Sequence, residues 1–252
     1  ISRVLNMDYN EHNRHPRDSR VEFDSGEHVY TVDACLRCDS VTTIVDACFE
    51  QFDAQYWAAR KATAEVSAEE LMRQWEEKGR RAREEGTLLH ERIERHYLGL
   101  EPEPEALSDV AFRHFLAFAA ARTLKPYRSE WRIFSEKYRV AGTLDFLAFD
   151  GCHFDIYDWK RSCKLIGEDG RPVTSDRYGK FGLGLMGAVP DTAYWHYALQ
   201  VSVYRYLLES EYGIEVRCGR LGTFHPEYSR PYVIELPYMR DHVVALLESR
   251  LR

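Results

Sequence analysis

The sequence predicts an α/β protein in which a central mixed β-sheet is flanked by helices. Three observations predict it. The stretch from Ser67 to Leu100 carries apolar residues at helical spacing behind a capping pattern. The stretch from Tyr127 to Ser162 reads as three consecutive antiparallel strands, a meander. A second helical stretch, Asp191 to Gly213, then leads into a further strand pair. With 252 residues, 44% hydrophobic and 30% charged, the chain has the material for one domain, residues 1–252, with a substantial core.

The elements follow in order. "NEHNRHPRD", with His12 and His15, reads as a mobile polar arm. "RVEFDSGEHVYTVD" (Arg20 to Asp33) reads as a β-hairpin around Ser25-Gly26, and residues 1–40 are placed at the periphery. "DSVTTIVDACFEQF" reads as a helix with Asp39 or Ser40 able to cap it. Ser67 and Glu70 open the long helix, in which Leu71, Trp75, Leu88, Leu89 and Ile93 recur at helical spacing. Gly79 and Gly86 each weaken it by about 1 kcal/mol relative to Ala, and a break near Gly86 is expected. "LGLEPEPEALSD" (Leu98 to Asp109) reads as a loop, and "DVAFRHFLAFAAARTL" as a helix. Beyond the meander, Cys163 to Pro190 is glycine-rich and irregular, long enough for a functional loop. Asp191 is placed as the cap of the next helix and Gly213 beyond its end. "EVRCGRLGTFH" and "PYVIELP" pair as strands, and a last helix closes the chain.

Composition narrows the function. No run of about 18 apolar residues exists, so no membrane span is expected. The start, "ISRVLNMDYN", lacks a charged-then-apolar leader. A net charge of -7 argues against a protein that coats nucleic acid non-specifically, yet leaves room for a local basic groove. "KGRRAR" (Lys78 to Arg83) and "RTLKPYRSEWR" (Arg122 to Arg132) concentrate cations, each flanked by acids, as solvated faces also do. Cys35-x-x-Cys38, Cys48 and the distant Cys218 fall short of a paired four-ligand set. Reduced thiols in a cytoplasmic protein are expected.

The chemistry concentrates in "AGTLDFLAFDGCHFDIYDWKRS" (Ala141 to Ser162), where Asp145, Asp158 and Lys160 interrupt strand-like segments. Asp150-Gly151 signals a two-residue turn, which sets Phe149 opposite Cys152, Asp145 opposite Ile156 and Asp158 opposite Thr143. Side chains two apart share a face, so Asp145, Asp158 and Lys160 project to one side, with Leu147, Phe149 and Ile156 as apolar support. The carboxylates become diagonal neighbours, roughly 7–8 Å apart at Cα, close enough to hold one Mg²⁺ through bonds of about 2.0–2.1 Å. Such a cation beside a lysine suits phosphodiester hydrolysis. Inward charges also occur on edge strands, where they discourage pairing with another sheet. Parity puts Asp155 on the opposite face with Tyr157 and Trp159.

"GTLD", a hairpin and "DWK" together resemble the core of the PD-(D/E)XK nuclease superfamily. "QVSVY" resembles the Q-x-x-x-Y motif of its RecB-like and phage lambda exonuclease branch, and "GTLLH" (Gly86 to His90) that branch's helical motif. The order His90, Asp145, Asp158, Lys160, Gln200, Tyr204 agrees, and the resemblance covers Gly86 to Glu211 (86–211), about half the chain. It implies a restriction-endonuclease-like core and a Mg²⁺- or Mn²⁺-dependent exonuclease acting on DNA in repair or recombination, alone, as a homo-oligomer or in a larger complex. Metal ligands would be His90, Asp145, Asp158 and the carbonyl of Trp159. Lys160 would orient and activate the attacking water, and Gln200 and Tyr204 would position substrate or hold the site together. Glu130 sits where members often carry an acid, and Glu94, one turn after His90, is able to share its role. His96 and His196 are bystanders. Relatives with an iron–sulfur cluster carry one Cys before the core and three after it; here the arrangement is reversed, and no cluster is expected. Lys164 and Lys180, with Arg171, Arg177, Tyr178 and Phe181, mark the long loop either as a strand-gripping element or as a surface insert. A structure-selective or site-specific endonuclease, and a non-catalytic nucleic-acid-binding module of nuclease ancestry, remain the alternatives.

Overall fold

A computed structural model describes residues 8–27 and 29–251; residues 1–7, on which most of the reading of the start "ISRVLNMDYN" falls, lie outside the described residues. In chain order the elements are α1 (Tyr9–His12), β1 (Val21–Asp24), β2 (Val29–Val32), β3 (Leu36–Ser40), α2 (Val41–Asp46), α3 (Ala54–Lys61) and α4 (Ala68–Tyr97). Then come α5 (Pro104–Ser108), α6 (Val110–Ala121), β4 (Pro126–Ser135), β5 (Val140–Phe149), β6 (Phe154–Lys160), α7 (Ala193–Glu211), β7 (Val216–Thr223), β8 (Tyr232–Leu236) and α8 (Arg240–Ser249).

The mixed sheet runs β1-β2-β3-β5-β6-β7-β8, with β4 paired to β5 off this path. β4, β5 and β6 form the expected antiparallel meander. Its turn differs from expectation. The Asp150 carboxylate accepts from the N–H groups of Cys152 (2.9 Å) and His153 (2.8 Å), which stretches the loop over 150–153. Phe149 therefore faces Phe154 rather than Cys152. An even shift leaves every side chain on its original face, so Asp145 and Asp158 still meet.

The N-terminal residues are more integrated than expected. Leu36–Ser40, part of which was read as helix, is a strand that pairs in parallel with β5, Ser40 opposite Ala141. The hairpin thus extends the sheet, with β1 at its end. The arm packs on β4: the Arg128 guanidinium donates to Asn13 O and Asp18 Oδ2, and the Trp131 indole N–H donates to Asp18 Oδ1 at 2.7 Å. Ser40 does cap α2, its hydroxyl accepting from Thr43 N–H.

α4 does not break at Gly86 and runs through to Tyr97. Ser67 caps it as expected, and ion pairs of Arg73 with Glu70 and of Arg80 with Glu77 and Glu84 reinforce the exposed first half. Several such pairs at a few tenths of a kcal/mol each help offset the glycine cost. The predicted loop after it contains α5, and α3 was not anticipated. At α7 the cap is Thr192, without a side-chain bond; Asp191 instead accepts from His196 Nε2 at 2.8 Å. Gly213 beyond its end takes φ +67°, as its position predicts.

Two core layers sandwich the sheet. Under α7 and α8 lie Val41, Ile133, Leu144, Leu147, Ile156, Leu199 and Leu221. Under α4 and α6 an aromatic layer holds Phe115, Phe118, Phe146, Trp159 and Phe224. Burying each such side chain is worth about 1.5–3 kcal/mol. Trp159 in this layer locks β6 in rotation, which turns Asp158 and Lys160 to the other face.

Candidate active site

β5 carries two neighbours along one edge: β3 at Val140 and Ala141, and β6 from Phe146 onward. Between them the edge is left without a strand, and ligand sites in α/β sheets form at such switch points. The sequence marks the gap. A Cβ on Gly142 would lie 2.8 Å from the Tyr204 ring, so glycine there lets α7 approach. Backbone pairing of β5 with β6 stops at Phe146 and Tyr157; next to it the Asp145 carboxylate accepts from Trp159 N–H at 2.8 Å. Leu144 and Leu147 join one core layer while Phe146 and Ala148 join the other, so alternation along β5 resets at Asp145. On β4, Glu130 falls between the pairs Ser129–Phe146 and Trp131–Leu144 and adopts φ +45°. A left-handed glutamate inside a strand costs about 1–3 kcal/mol, and such strain gathers at functional sites.

α4 supplies His90 from one side. Its Nε2–H donates to Trp159 O at 2.8 Å and lies 3.7 Å from Asp145 Oδ2, while Nδ1 lies 3.5 Å from Glu130 Oε1. Burial opposes the imidazolium, but Asp145 and Glu130 outweigh it and raise His90 to about 9. From β6, Lys160 Nζ contacts Asp158 Oδ2 at 2.6 Å and Asp145 Oδ2 at 3.9 Å. From α7, Gln200 Nε2 donates to Asp158 Oδ1 at 3.3 Å, and Tyr204 lies against Gly142 on the same side. Asp158 is 1% exposed; burial and the neighbouring Asp145 raise it to about 6 against the pull of Lys160. Lys160 is also buried, yet Asp158 and Asp145 hold its pKa above the ordinary lysine value. With no cation beside it, Lys160 is thus favoured in its charged form.

The structure brings His90, Asp145, Asp158, Lys160, Gln200 and Tyr204 together. One donor atom each from His90, Glu130 and Asp145 falls within 4.8 Å of the others. With the Trp159 carbonyl beside His90, this imidazole, carboxylate and carbonyl set fits a hard divalent cation. Glu130 thus belongs to the converging set, while Asp158 is turned toward Lys160 and Gln200. Glu94 accepts from the Ser129 hydroxyl at 3.3 Å and is raised by burial and by Glu130; it stands beside the set rather than in it. His96 packs edge-on against Phe115, and His196 stacks on Phe49.

Beside the cluster an open groove of about 760 Å³ is lined by Arg161, Lys164, Arg177, His196, Tyr197 and Gln200, among others. Lys164 thus reaches the groove. Lys180 does not line it, and its ammonium instead pairs with Glu50 at 2.6 Å. Tyr197, which sequence reasoning missed, places its ring 4.9 Å from Lys160 Nζ. Its spacing one turn before Gln200 was the available signal. All six cysteines are free thiols. Among the described residues, no helix is long and apolar enough to cross a membrane.

No family model matches the chain, and no curated protein matches it. Among solved structures it is similar to one described as "Crystal structure of SSO0001", with 19% identity over 59% of this chain and a TM-score of 0.30. The match spans 60% of that neighbour's length.

Proposed function

We propose that the chain is a metal-dependent nuclease of the PD-(D/E)XK type that hydrolyses DNA phosphodiester bonds, working from a strand end. The observation that carries this reading is the meeting of His90, Glu130, Asp145, Asp158 and Lys160 at the strand gap, beside a groove lined by Arg161, Lys164 and Arg177. His90, Glu130, Asp145 and the Trp159 carbonyl would hold Mg²⁺ or Mn²⁺, with Asp158 alongside. When bound, such a cation neutralises phosphate charge and lowers the pKa of a coordinated water.

The chain's own residues do the rest. Lys160, held protonated, is a fixed positive charge that orients the water and stabilises charge developing on the phosphorus oxygens. Gln200 holds Asp158 by its amide, and Tyr204, its hydroxyl kept protonated by burial, wedges α7 against Gly142. Lys164 and Arg177, among the carboxylates Asp46, Asp176 and Asp191 of the same groove, offer phosphate contacts that position a strand without reading its sequence. Attack from an end rests on the motif resemblance. The groove's open side favours a second reading, an endonuclease that admits a continuous strand.

End-labelled linear DNA, single- and double-stranded, digested beside a closed circle with Mg²⁺, Mn²⁺ or EDTA, tests both. Metal-dependent loss of linear DNA with the circle spared, reduced about a thousandfold by Lys160→Ala, is the expected result. A cut circle selects the endonuclease. Binding of DNA without cleavage of either form under any metal would leave the non-catalytic module.

A further inference from the structure

The C-terminal ends of β6 and β7 lie side by side, Lys160 opposite Thr223, and the loops leaving them are tied together. Phe224 N–H donates to Lys160 O at 2.9 Å, and the Thr223 hydroxyl donates to Ser162 O at 3.2 Å. Ile166 N–H donates to the Tyr228 hydroxyl at 3.1 Å, while Tyr228 N–H closes a turn onto His225 O at 3.0 Å. Between these ties, Cys163, His225 and Glu227 each bring one sulfur, nitrogen or oxygen donor within 4.8 Å of the others. None of the three belongs to the carboxylate cluster.

We propose that Cys163, His225 and Glu227 form a second metal site, a thiolate–imidazole–carboxylate set that takes Zn²⁺. The donor chemistry separates it from the first cluster, whose donors are oxygen and imidazole only. Thiolate and imidazole together select a borderline-soft ion. Zinc bonds of about 2.3 Å to sulfur and 2.0–2.1 Å to nitrogen place tetrahedral donors roughly 3.3–3.8 Å apart. Cys163 and Glu227 are both exposed, so their side chains have room to turn toward a shared ion. The His225 ring has one hydrogen bond among the described residues, a 3.2 Å approach of Glu227 N–H to Nδ1, and ligation displaces little else.

Charge also closes. Arg161, whose charge acts on His225, is already answered by Glu85 at 2.6 Å. The Cys163 thiolate, formed as its proton leaves to solvent, and the Glu227 carboxylate are then free to balance a divalent ion. Three protein ligands leave the fourth position to water. The consequence is mechanical: Arg161 and Lys164 flank Cys163 and line the groove. Zinc would staple their loop to the β7–β8 connection and fix the groove wall.

Co²⁺ is the probe, added to reduced, EDTA-stripped protein. A thiolate-to-cobalt charge-transfer band is expected, abolished by Zn²⁺ competition and retained in Asp145→Asn, which disables only the oxygen-rich cluster. Cys163→Ser should remove the band, and His225→Ala should weaken Co²⁺ binding by at least the roughly 10–100-fold that an outer-shell partner is worth. No band, a band that survives Cys163→Ser, or affinity unchanged in His225→Ala overturns the proposal. The readout is independent of DNA cleavage, so it stands or falls apart from the nuclease reading.

Discussion

Asp155 and Asp158 lie three residues apart on β6, both buried, and they behave in opposite ways. Asp155 faces Arg217 and Arg220, with the Cys218 thiol donating to it as well. Despite burial, these partners hold its carboxyl below the usual range. Asp158 contacts one cation, Lys160, with a second carboxylate, Asp145, close behind; even with His90 also pulling on it, burial and Asp145 raise it to about 6. A carboxylate with ample cations contributes to stability. One with too few is poised for a further cation, a pattern that marks functional sites. Burial alone does not tell the two apart; the charge left unanswered does.

The largest expected break in this contrast is Asp158→Asn. It should lower cleavage about a thousandfold while leaving unfolding free energy within about 1 kcal/mol, because it relieves repulsion with Asp145 and leaves Lys160 that partner. Denaturant titration beside an activity assay checks both halves. Asp155→Asn should do the reverse. Arg217 and Arg220 each lose one carboxylate, and their remaining partners Asp150 and Glu235, with the exposure of Arg217, soften the loss to about 2 kcal/mol.

His90 extends the contrast to pH. Its value of about 9 in the metal-free fold exceeds the ordinary 6.5, so its contribution to stability is full below about 6.5 and is lost as pH rises through about 9. In EDTA, wild type should lose about 3 kcal/mol across that window relative to His90→Gln. Metal must displace the same proton, so Mn²⁺ affinity should rise by up to about tenfold per pH unit over that range, as calorimetry would show. The smallest effect is at Glu130. Replacing a left-handed residue by Glu130→Gly should stabilise the fold by about 0.5–1 kcal/mol while weakening Mn²⁺ binding; a loss of stability would show that the side chain, and not the backbone, governs that position.

Much of the site was legible because strand parity and helix periodicity are local. Asp145, Asp158 and Lys160 share a side under either turn length, since the register error was even, and Gln200 and Tyr204 stand one helical turn apart. What escaped was long-range. The parallel pairing of Ser40 with Ala141 joins residues far apart in sequence, and it creates the gap in which the site sits. The positive φ of Glu130 comes from β4 and β5 resetting together, which no local pattern encodes. Lys160's charge state depended on knowing how close Asp158 lies. Gly86 misled because propensity was weighed without the ion pairs that reinforce α4.

The most direct test is the initial cleavage rate of wild type, Asp155→Asn and Asp158→Asn on one end-labelled strand with Mg²⁺, against an EDTA blank. The account predicts that Asp155→Asn cuts within about threefold of wild type and that Asp158→Asn cuts about a thousandfold more slowly. Equal losses in the two variants, or wild-type cutting by Asp158→Asn, would contradict it.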